Sequence, residues 1–208
     1  MASVLLYLGA ATFVPRRAFL RLGGERRKFA KSFRVMLLVG ILYTLSVIGL
    51  AASGAMLPAP AFLPLDPHNY YFYEIFFTLP AFIAAWLIAS GTGTLVSLIM
   101  GGRGSFKTAA ATWAFAFAAP AFMMWLPHAV FSGFLALGMS QREFMSYTAE
   151  PGPWQSGFWV YQGLAVLLLI VGSAKAAAVG RSLRPVAALL TGLFAAGVFA
   201  GIIGLVIR

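Results

Sequence analysis

The sequence has no cysteine and few acidic residues or histidines. Its 208 residues include only five Asp and Glu and two His. The absence of Cys excludes disulfides, Cys-ligated metals, iron–sulfur clusters and thiol catalysis. With two histidines, a metal triad would need Asp66 or Glu74 as a further ligand. Bis-histidine haem would need His68 and His128, and His68 lies between apolar segments rather than within one.

Five long apolar runs dominate what is present. The chain is 61% hydrophobic and only 10% charged, which leaves too little polar surface for a soluble monomer. Each run can supply the ~20 apolar residues that cross a ~30 Å hydrocarbon core. The sequence therefore predicts an all-α membrane bundle of five transmembrane helices over residues 35–208. The runs are 35–56, 72–100, 108–139, 154–174 and 185–207.

Basic residues alternate between the segments that connect these runs. Loops 101–107 and 175–184 contain Lys or Arg, loop 57–71 contains neither, and loop 140–153 has only Arg142, which two glutamates offset. This alternation follows the positive-inside rule. It predicts a cytosolic N-terminus and places Arg208 on the far side of the membrane, as an odd number of spans requires.

Residues 1–34 form a predicted basic, interfacial segment. Eight of the fifteen Lys and Arg lie between Arg16 and Arg34. Such a cluster is attracted to anionic headgroups, so membrane lipids are predicted partners and nucleic acid is not. We expect residues 3–22 to form an interfacial helix interrupted at Pro15. Four side chains are expected in the acyl boundary: Phe13, Phe19, Leu20 and Leu22.

Three prolines lie within runs that are longer than the membrane is thick. Proline lacks a backbone N–H and clashes with the preceding helical turn, so we expect Pro80 to kink the second span. Pro120 and Pro127 are expected to interrupt the third, which would then cross at about 108–126. Residues 128–139 would lie beyond it as an outer or partly re-entrant helix.

Small residues recur where helices can approach closely. Gly197 and Gly201 have small-xxx-small spacing, as do Gly49 and Ser53, and residues 109–121 are rich in Ala. In lipid, close packing of such surfaces holds helices together. The pattern predicts contacts between helices of the bundle and with other membrane subunits.

Glu74 and His128 are the candidates for a functional polar site. An ionisable residue within a span is costly and indicates function by default. Glu74 lies just inside the second run, where a structural role beside a Tyr or a helix N-terminus is the favoured alternative. His128 follows Pro127 and can pair with Glu74. An outer-facing transport site therefore stays open.

The glycine-rich segment 101–108 is only superficially a phosphate loop, because Phe106 occupies the position before Lys107 where a P-loop has Gly. The pattern predicts a tight cytosolic turn in which Ser105 caps the third span. Its backbone N–H groups predict a site for a lipid phosphate. The residues predicted to hold lipid phosphates are Arg103, Ser105, Lys107, Arg26, Arg27 and Lys28.

The sequence contains no Ser–His–Asp set, zinc motif, dinucleotide fingerprint or kinase signature. It gives no positive indication of an enzyme and requires no cofactor. Apolar helices rich in Phe and Trp can hold a quinone, carotenoid or chlorophyll without any motif, and this stays open.

An unusual series of motifs runs from the start of the second apolar run into the third. It consists of Tyr70-Tyr71-Phe72-Tyr73-Glu74, Phe77, Pro80, Gly101-Gly102-Arg103-Gly104-Ser105-Phe106-Lys107 and Pro120. This series resembles the Yip-domain family, five-span proteins related to the Ypt/Rab-interacting proteins of the early secretory pathway.

The resemblance implies five helices and a cytosolic N-terminus. Eukaryotic members act in vesicle trafficking, membrane shaping and binding of lipidated Rab GTPases. The Ala- and Gly-rich chain looks prokaryotic, which implies the bacterial cytoplasmic membrane. The positions that the resemblance implies to be architectural are Glu74, Pro80, Gly101, Gly104, Phe106, Lys107 and Pro120.

Three functions follow as hypotheses. The leading one is a non-catalytic scaffold or accessory subunit of a larger membrane assembly. The second is a small transporter or channel with an outer-facing site at Glu74 and His128. The third is anionic-lipid binding and membrane shaping by the basic N-terminal region.

Overall fold

The structure is a computed structural model that describes residues 2–57, 62–63 and 65–207, so part of loop 57–71 and Arg208 lie outside the described residues. The described residues form eight α-helices and no strand. Helix-forming Ala, Leu and Met recur in the apolar runs, and proline begins three of the helices. The helices are α1 (Ala2–Phe13), α2 (Pro15–Gly23), α3 (Lys28–Ala52), α4 (Tyr70–Ile99), α5 (Phe106–Ala136), α6 (Gln141–Ala149), α7 (Pro153–Gly180) and α8 (Pro185–Val206).

Five of these helices, α3, α4, α5, α7 and α8, are long and apolar enough to cross a membrane. The prediction of an all-α, five-span integral membrane protein is confirmed. The basic end of the bundle is where α3, α5 and α8 begin and where α4 and α7 finish; the opposite end is the far end. The positive-inside orientation of these ends stays a prediction.

Helix α5 is the central element of the bundle. Every residue from Ala109 to Ala121 is buried, because α1, α2, α3, α4 and α7 all contact this helix. Eight of these thirteen residues are alanine, whose small side chain allows the backbones to approach closely. Helix α8 packs on the outer side of α4 and α7. The Ala-rich segment therefore organises the half of the bundle nearest the basic end.

The prolines do not interrupt the spans. Helix α4 continues through Pro80, and α5 continues through Pro120 and Pro127 to Ala136. The expected interruption at Pro120 and Pro127 and the separate helix over 128–139 are therefore wrong, whereas the crossing at 108–126 stays a prediction. One physical reason is visible at Pro127, whose missing N–H leaves the Met123 carbonyl without its helical donor. The Tyr161 hydroxyl of α7 donates to that carbonyl at 2.6 Å, so the helix continues without an orphaned acceptor.

The N-terminal helices α1 and α2 form a hairpin that breaks at Pro15, as expected. The hairpin packs against α5 and α7. Phe19 and Leu22 are fully buried against the bundle, so their expected place in the acyl boundary is wrong. Phe13 and Leu20 are exposed on the opposite side, at 85% and 57%. An amphipathic helix buries its apolar face on whichever apolar surface is closest, here the protein itself.

At the far end, the short helix α6 covers the bundle. Helix α6 begins at Gln141, directly after its capping residue Ser140. The Ser140 side chain accepts a hydrogen bond from the Glu143 N–H at 3.2 Å. The Gln141 side chain bonds both the N–H (2.8 Å) and the carbonyl (2.6 Å) of Met56. Phe144 packs on Phe131 of α5 at 4.7 Å between ring centroids. These contacts attach α6 to the loop after α3 and to the end of α5.

Some of the glycines at small-xxx-small spacing pack against a neighbouring helix, and others face open space. A Cβ on Gly192 would come within 2.5 Å of the Ala174 backbone nitrogen, and one on Gly49 would collide with the Ser132 side chain. Gly197, Gly201 and Gly204 have open space where a Cβ would point. Gly192 and Gly49 therefore serve contacts within this bundle, whereas the glycines near the far end of α8 face outwards.

Candidate functional site

At the basic end, Arg181 joins the two turns between the spans. It follows α7 directly and is only 2% exposed. Its Nε donates to the Ser97 hydroxyl at 2.7 Å, and its two terminal nitrogens donate to the carbonyls of Gly104 and Gly102. The Arg103 N–H donates in return to the Arg181 carbonyl at 2.8 Å. One side chain thus holds the turn after α4 against the turn after α7.

No carboxylate accompanies Arg181 among the described residues. Burial lowers the pKa of this guanidinium from its ordinary value. The charge is instead solvated by backbone carbonyls and by the C-terminal ends of α4 and α7, which carry partial negative charge. Sequence reasoning missed this role, because nothing in the pattern distinguishes Arg181 from its exposed neighbour Arg184.

The glycine-rich turn has the predicted cap and conformation. The Ser105 side chain accepts a hydrogen bond from the Thr108 N–H at 3.3 Å, which starts α5. Gly101 and Gly104 have φ of +78° and +120°, values that side chains with a Cβ rarely adopt. Arg103 and Lys107 are exposed on either side of the turn. The backbone of this segment therefore forms the tight turn, and the Arg103 and Lys107 side chains remain at the surface.

The other predicted phosphate ligands lie at the same end of the bundle. Arg26 and Arg27 are exposed in the turn between α2 and α3. Lys28 is partly buried, and its ammonium group donates to the Gly23 carbonyl at 2.6 Å at the end of α2. A Cβ on Gly23 would lie 3.7 Å from Thr108, which places the two predicted groups of ligands side by side. Lys28 has a structural partner already, whereas Arg26 and Arg27 have no side-chain hydrogen bond or ion pair within the part of the chain that the structure describes.

Glu25 is the one carboxylate at the basic end among the described residues. It accepts a hydrogen bond from the Tyr7 hydroxyl and forms an ion pair with Lys31. The hydrogen bonds from Lys31 and Tyr7 lower the pKa of Glu25. Burial, with the hydrogen bond to Glu25 next in size, raises the pKa of Tyr7 to about 12. Glu25 therefore fastens α1 to the start of α3 and leaves the other surface cations unneutralised.

A second group of polar side chains lies nearer the far end. Glu74 of α4 is completely buried and interacts electrostatically with the hydroxyls of Tyr43 and Tyr71. The Tyr43 ring lies 5.4 Å from the His128 ring between centroids. Tyr43 of α3 therefore stands between the two residues that the sequence singled out. The sequence did not indicate Tyr43, since it is one aromatic residue within an apolar run.

The histidine within this far-end polar cluster (Tyr43, Tyr71, Glu74 and His128) has no visible partner for one ring nitrogen. Its Nδ1 is buried, and among the described residues no hydrogen-bond partner reaches it. A groove of about 360 Å³ opens beside Tyr71 between α3 and α4, with His68 and Asn69 at its rim. The Asp66 carboxylate accepts hydrogen bonds from the His68 backbone N–H at 3.1 Å and from the Asn69 side-chain amide at 2.7 Å, and these bonds lower its pKa.

Other polar contacts near the cluster fix the helices. The Trp125 indole donates to the Leu42 carbonyl at 2.9 Å and to the Ser46 hydroxyl at 2.8 Å. Together with the bond from Tyr161 to Met123, it ties the proline-containing part of α5 to α3 and α7. Hydrogen bonds between membrane helices contribute about 0.6 kcal/mol each on average. Within the described chain, no three His, Asp or Glu lie close enough together to hold a metal ion.

Comparisons with models of known protein families, with curated proteins and with solved structures find no match. The chemistry that the residues themselves allow is anion binding at the basic end and proton or cation binding at the far-end polar cluster.

Proposed function

We propose that this integral membrane protein is a non-catalytic scaffold of the Yip type that gathers anionic lipid at its basic end. The distribution of charge carries the proposal. Thirteen of the fourteen Lys and Arg among the described residues lie at that end, all except Arg142, whereas only Glu25 of the five acidic residues does. A charge excess of this size has no counterpart within the described protein, and anionic headgroups are the counterpart that a membrane offers.

The arrangement of the cations supports binding rather than simple solvation. Arg26 and Arg27 lie between two helices, and Arg103 and Lys107 flank a turn that Arg181 holds in place. Each Lys or Arg near an anionic surface contributes about 1 kcal/mol of attraction. Because the side chains start from fixed backbone positions, little chain entropy is lost when a lipid binds.

Lipid selection in reconstituted membranes tests this proposal. The full-length protein in nanodiscs of phosphatidylcholine and phosphatidylglycerol should enrich phosphatidylglycerol in its annulus, and added salt should reduce the enrichment. The triple variant Arg26→Gln, Arg103→Gln and Lys107→Gln should lose much of it, while Arg142→Gln at the far end should behave as the unchanged protein. A lipid annulus with the bulk composition at low salt would contradict the proposal.

The scaffold part of the proposal is supported by surfaces that this bundle leaves open. The outward glycines of α8, Gly197, Gly201 and Gly204, allow another helix to approach closely. Trp154 and Trp159 of α7 are 76% and 64% exposed near the far end. Crosslinking in native membranes should capture neighbouring membrane subunits or further copies. Recovery as a lone monomer, with no crosslinked species, would argue against a scaffold.

Transport is the second candidate function, and the far-end polar cluster favours it. Buried Glu74 interacts with Tyr43 and Tyr71, and Tyr71 lines a groove of about 360 Å³ near the far end. This arrangement is suited to a proton or small cation that enters from the far end. Liposome flux of protons and monovalent cations should then fall with Glu74→Gln and persist with Glu150→Gln, which alters an exposed far-end carboxylate. Flux that is absent, or equal in the two variants, would remove this candidate.

A further inference from the structure

The groove between α1 and α2, here the hairpin groove, has two chemically different walls. Its volume is about 580 Å³, within the ~300–1,000 Å³ of typical ligand sites. Helix α1 carries no charged residue, so its wall is apolar. Helix α2 contributes two arginines to the other wall. The lining used in the argument consists of Leu6, Ala10, Val14, Leu20, Arg17 and Arg21.

The two arginines are presented together and in a fixed direction. Arg17 and Arg21 are four residues apart, so they lie on one face of α2, a turn from each other. The opposite face is anchored, because Phe19 and Leu22 are completely buried in the bundle. Both guanidinium groups are exposed, and no carboxylate forms an ion pair with either among the described residues. Two guanidinium groups on one face of an anchored helix can bind a phosphate with charge-assisted hydrogen bonds.

The nearest carboxylate does not satisfy these arginines. Arg21 interacts electrostatically with Glu25, but the hydrogen bonds to that carboxylate come from Tyr7 and Lys31. The apolar wall remains exposed as well: Leu6 is 75% exposed and Val14 48%. A ligand that complements both walls must carry an anionic group and a hydrocarbon chain on the same molecule.

We propose that the hairpin groove binds one anionic phospholipid, with its phosphate between Arg17 and Arg21 and an acyl chain along Leu6, Ala10 and Val14. The position beside the first span, with Phe13 and Leu20 exposed on the same hairpin, favours a lipid over a soluble anion. This inference rests on the proposed lipid-gathering function and adds a single defined site to it.

Native mass spectrometry of the full-length protein, released from nanodiscs of phosphatidylcholine with an equal share of phosphatidylglycerol, tests the site. The unchanged protein should retain one phosphatidylglycerol. The double variant Arg17→Gln and Arg21→Gln should bind it about tenfold more weakly in a titration of the phosphatidylglycerol share, the effect of losing a charge-assisted hydrogen bond of about 1.5 kcal/mol. The matched control Arg16→Gln and Arg34→Gln removes the same charge outside the groove and should retain the lipid.

A charge-neutral variant separates the groove from surface charge. Ala10→Trp fills the apolar part of the groove and leaves every arginine in place, so it should displace the lipid while annular enrichment of phosphatidylglycerol persists. Retention of the lipid by Ala10→Trp, or equal loss of the lipid from the two double variants, would contradict binding in the hairpin groove. Either result would leave the proposed gathering of anionic lipid at the basic end unaffected. A free phosphate site would instead show displacement of the lipid by inorganic phosphate. The absence of any phosphatidylglycerol preference would overturn both proposals.

Discussion

The two halves of α5 have opposite surroundings. From Ala109 to Ala121 the helix is buried on all sides, whereas Phe122, Leu126, Val130 and Phe134 further along are each exposed by about two-fifths. Alanines in the first half let five other helices come close, and the large rings of Trp113, Phe115 and Phe117 fill the space that remains between them. In the second half, large apolar side chains face outwards instead, which carries little penalty where lipid is as apolar as the core.

The two halves also use hydrogen bonds differently. Near the basic end, the Trp86 indole donates to the Ala110 carbonyl (2.9 Å) and the Ser32 hydroxyl to the Ala111 carbonyl (3.2 Å), so neighbouring helices bond directly to the α5 backbone. The second half also accepts such a bond, from Tyr161 at the Met123 carbonyl, but its His128 lies beside Tyr43, which interacts with the buried Glu74 of α4. The second half therefore adds a group that can change its protonation or its partners.

The largest expected effect comes from a substitution at the basic end of the bundle, where Arg181 joins two turns. Arg181→Met removes the donors that satisfy the Gly102 and Gly104 carbonyls, and buried unsatisfied acceptors are costly. We expect the free energy of unfolding in detergent to fall by about 3 kcal/mol. Thermal unfolding measures it, with Arg184→Met, an exposed neighbour, as the control. Equal melting temperatures for the two variants would contradict the role assigned to Arg181.

A smaller effect compares tight and open packing along a single helix. Gly192→Ala forces a Cβ against the Ala174 backbone, and should lower the free energy of unfolding by about 2 kcal/mol. Gly197→Ala projects into open space and should change it by less than about 0.5 kcal/mol. Guanidinium or detergent titration measures both. If the two substitutions cost the same, the division between packed and open faces of α8 is wrong.

Within the far half, Tyr161→Phe should cost about 1 kcal/mol, because the Met123 carbonyl freed by Pro127 loses its donor. Hydrogen exchange of the amides on either side of Pro127 should accelerate in this variant. The control is Tyr147→Phe, an exposed residue of α6. Unchanged exchange in Tyr161→Phe would mean that α5 passes Pro127 without help from α7.

The smallest effect concerns the hairpin of α1 and α2. The pKa of Glu25 is lowered in the folded protein, so its stabilising contribution is present above its ordinary pKa and is lost as the pH falls through the lowered value. Glu25→Gln should loosen the hairpin by less than about 1 kcal/mol at neutral pH and make it indifferent to acid. Limited proteolysis of residues 2–23 measures this, with Glu143→Gln as the control. Acid sensitivity that survives in Glu25→Gln would assign it to another group.

Local patterns were sufficient for several features of the site. Ser105 caps α5 as its position before an apolar run indicates, and the break at Pro15 separates α1 from α2. The prolines misled, because the effect of Pro127 depends on Tyr161, which lies on another helix. The predicted position of Phe19 and Leu22 was wrong for a related reason. An apolar helix face indicates that an apolar surface covers it, but the sequence does not distinguish lipid from protein as that surface.

Hydrophobic length and composition by themselves determined that five helices cross a membrane, since both depend only on residues adjacent in the chain. The tertiary structure alone decided that Arg181 is a buried joint, that Tyr43 links Glu74 to His128, and that Arg17 and Arg21 border an apolar groove. Each of these depends on side chains from helices far apart in sequence, whose approach is set by the close packing of small residues around α5.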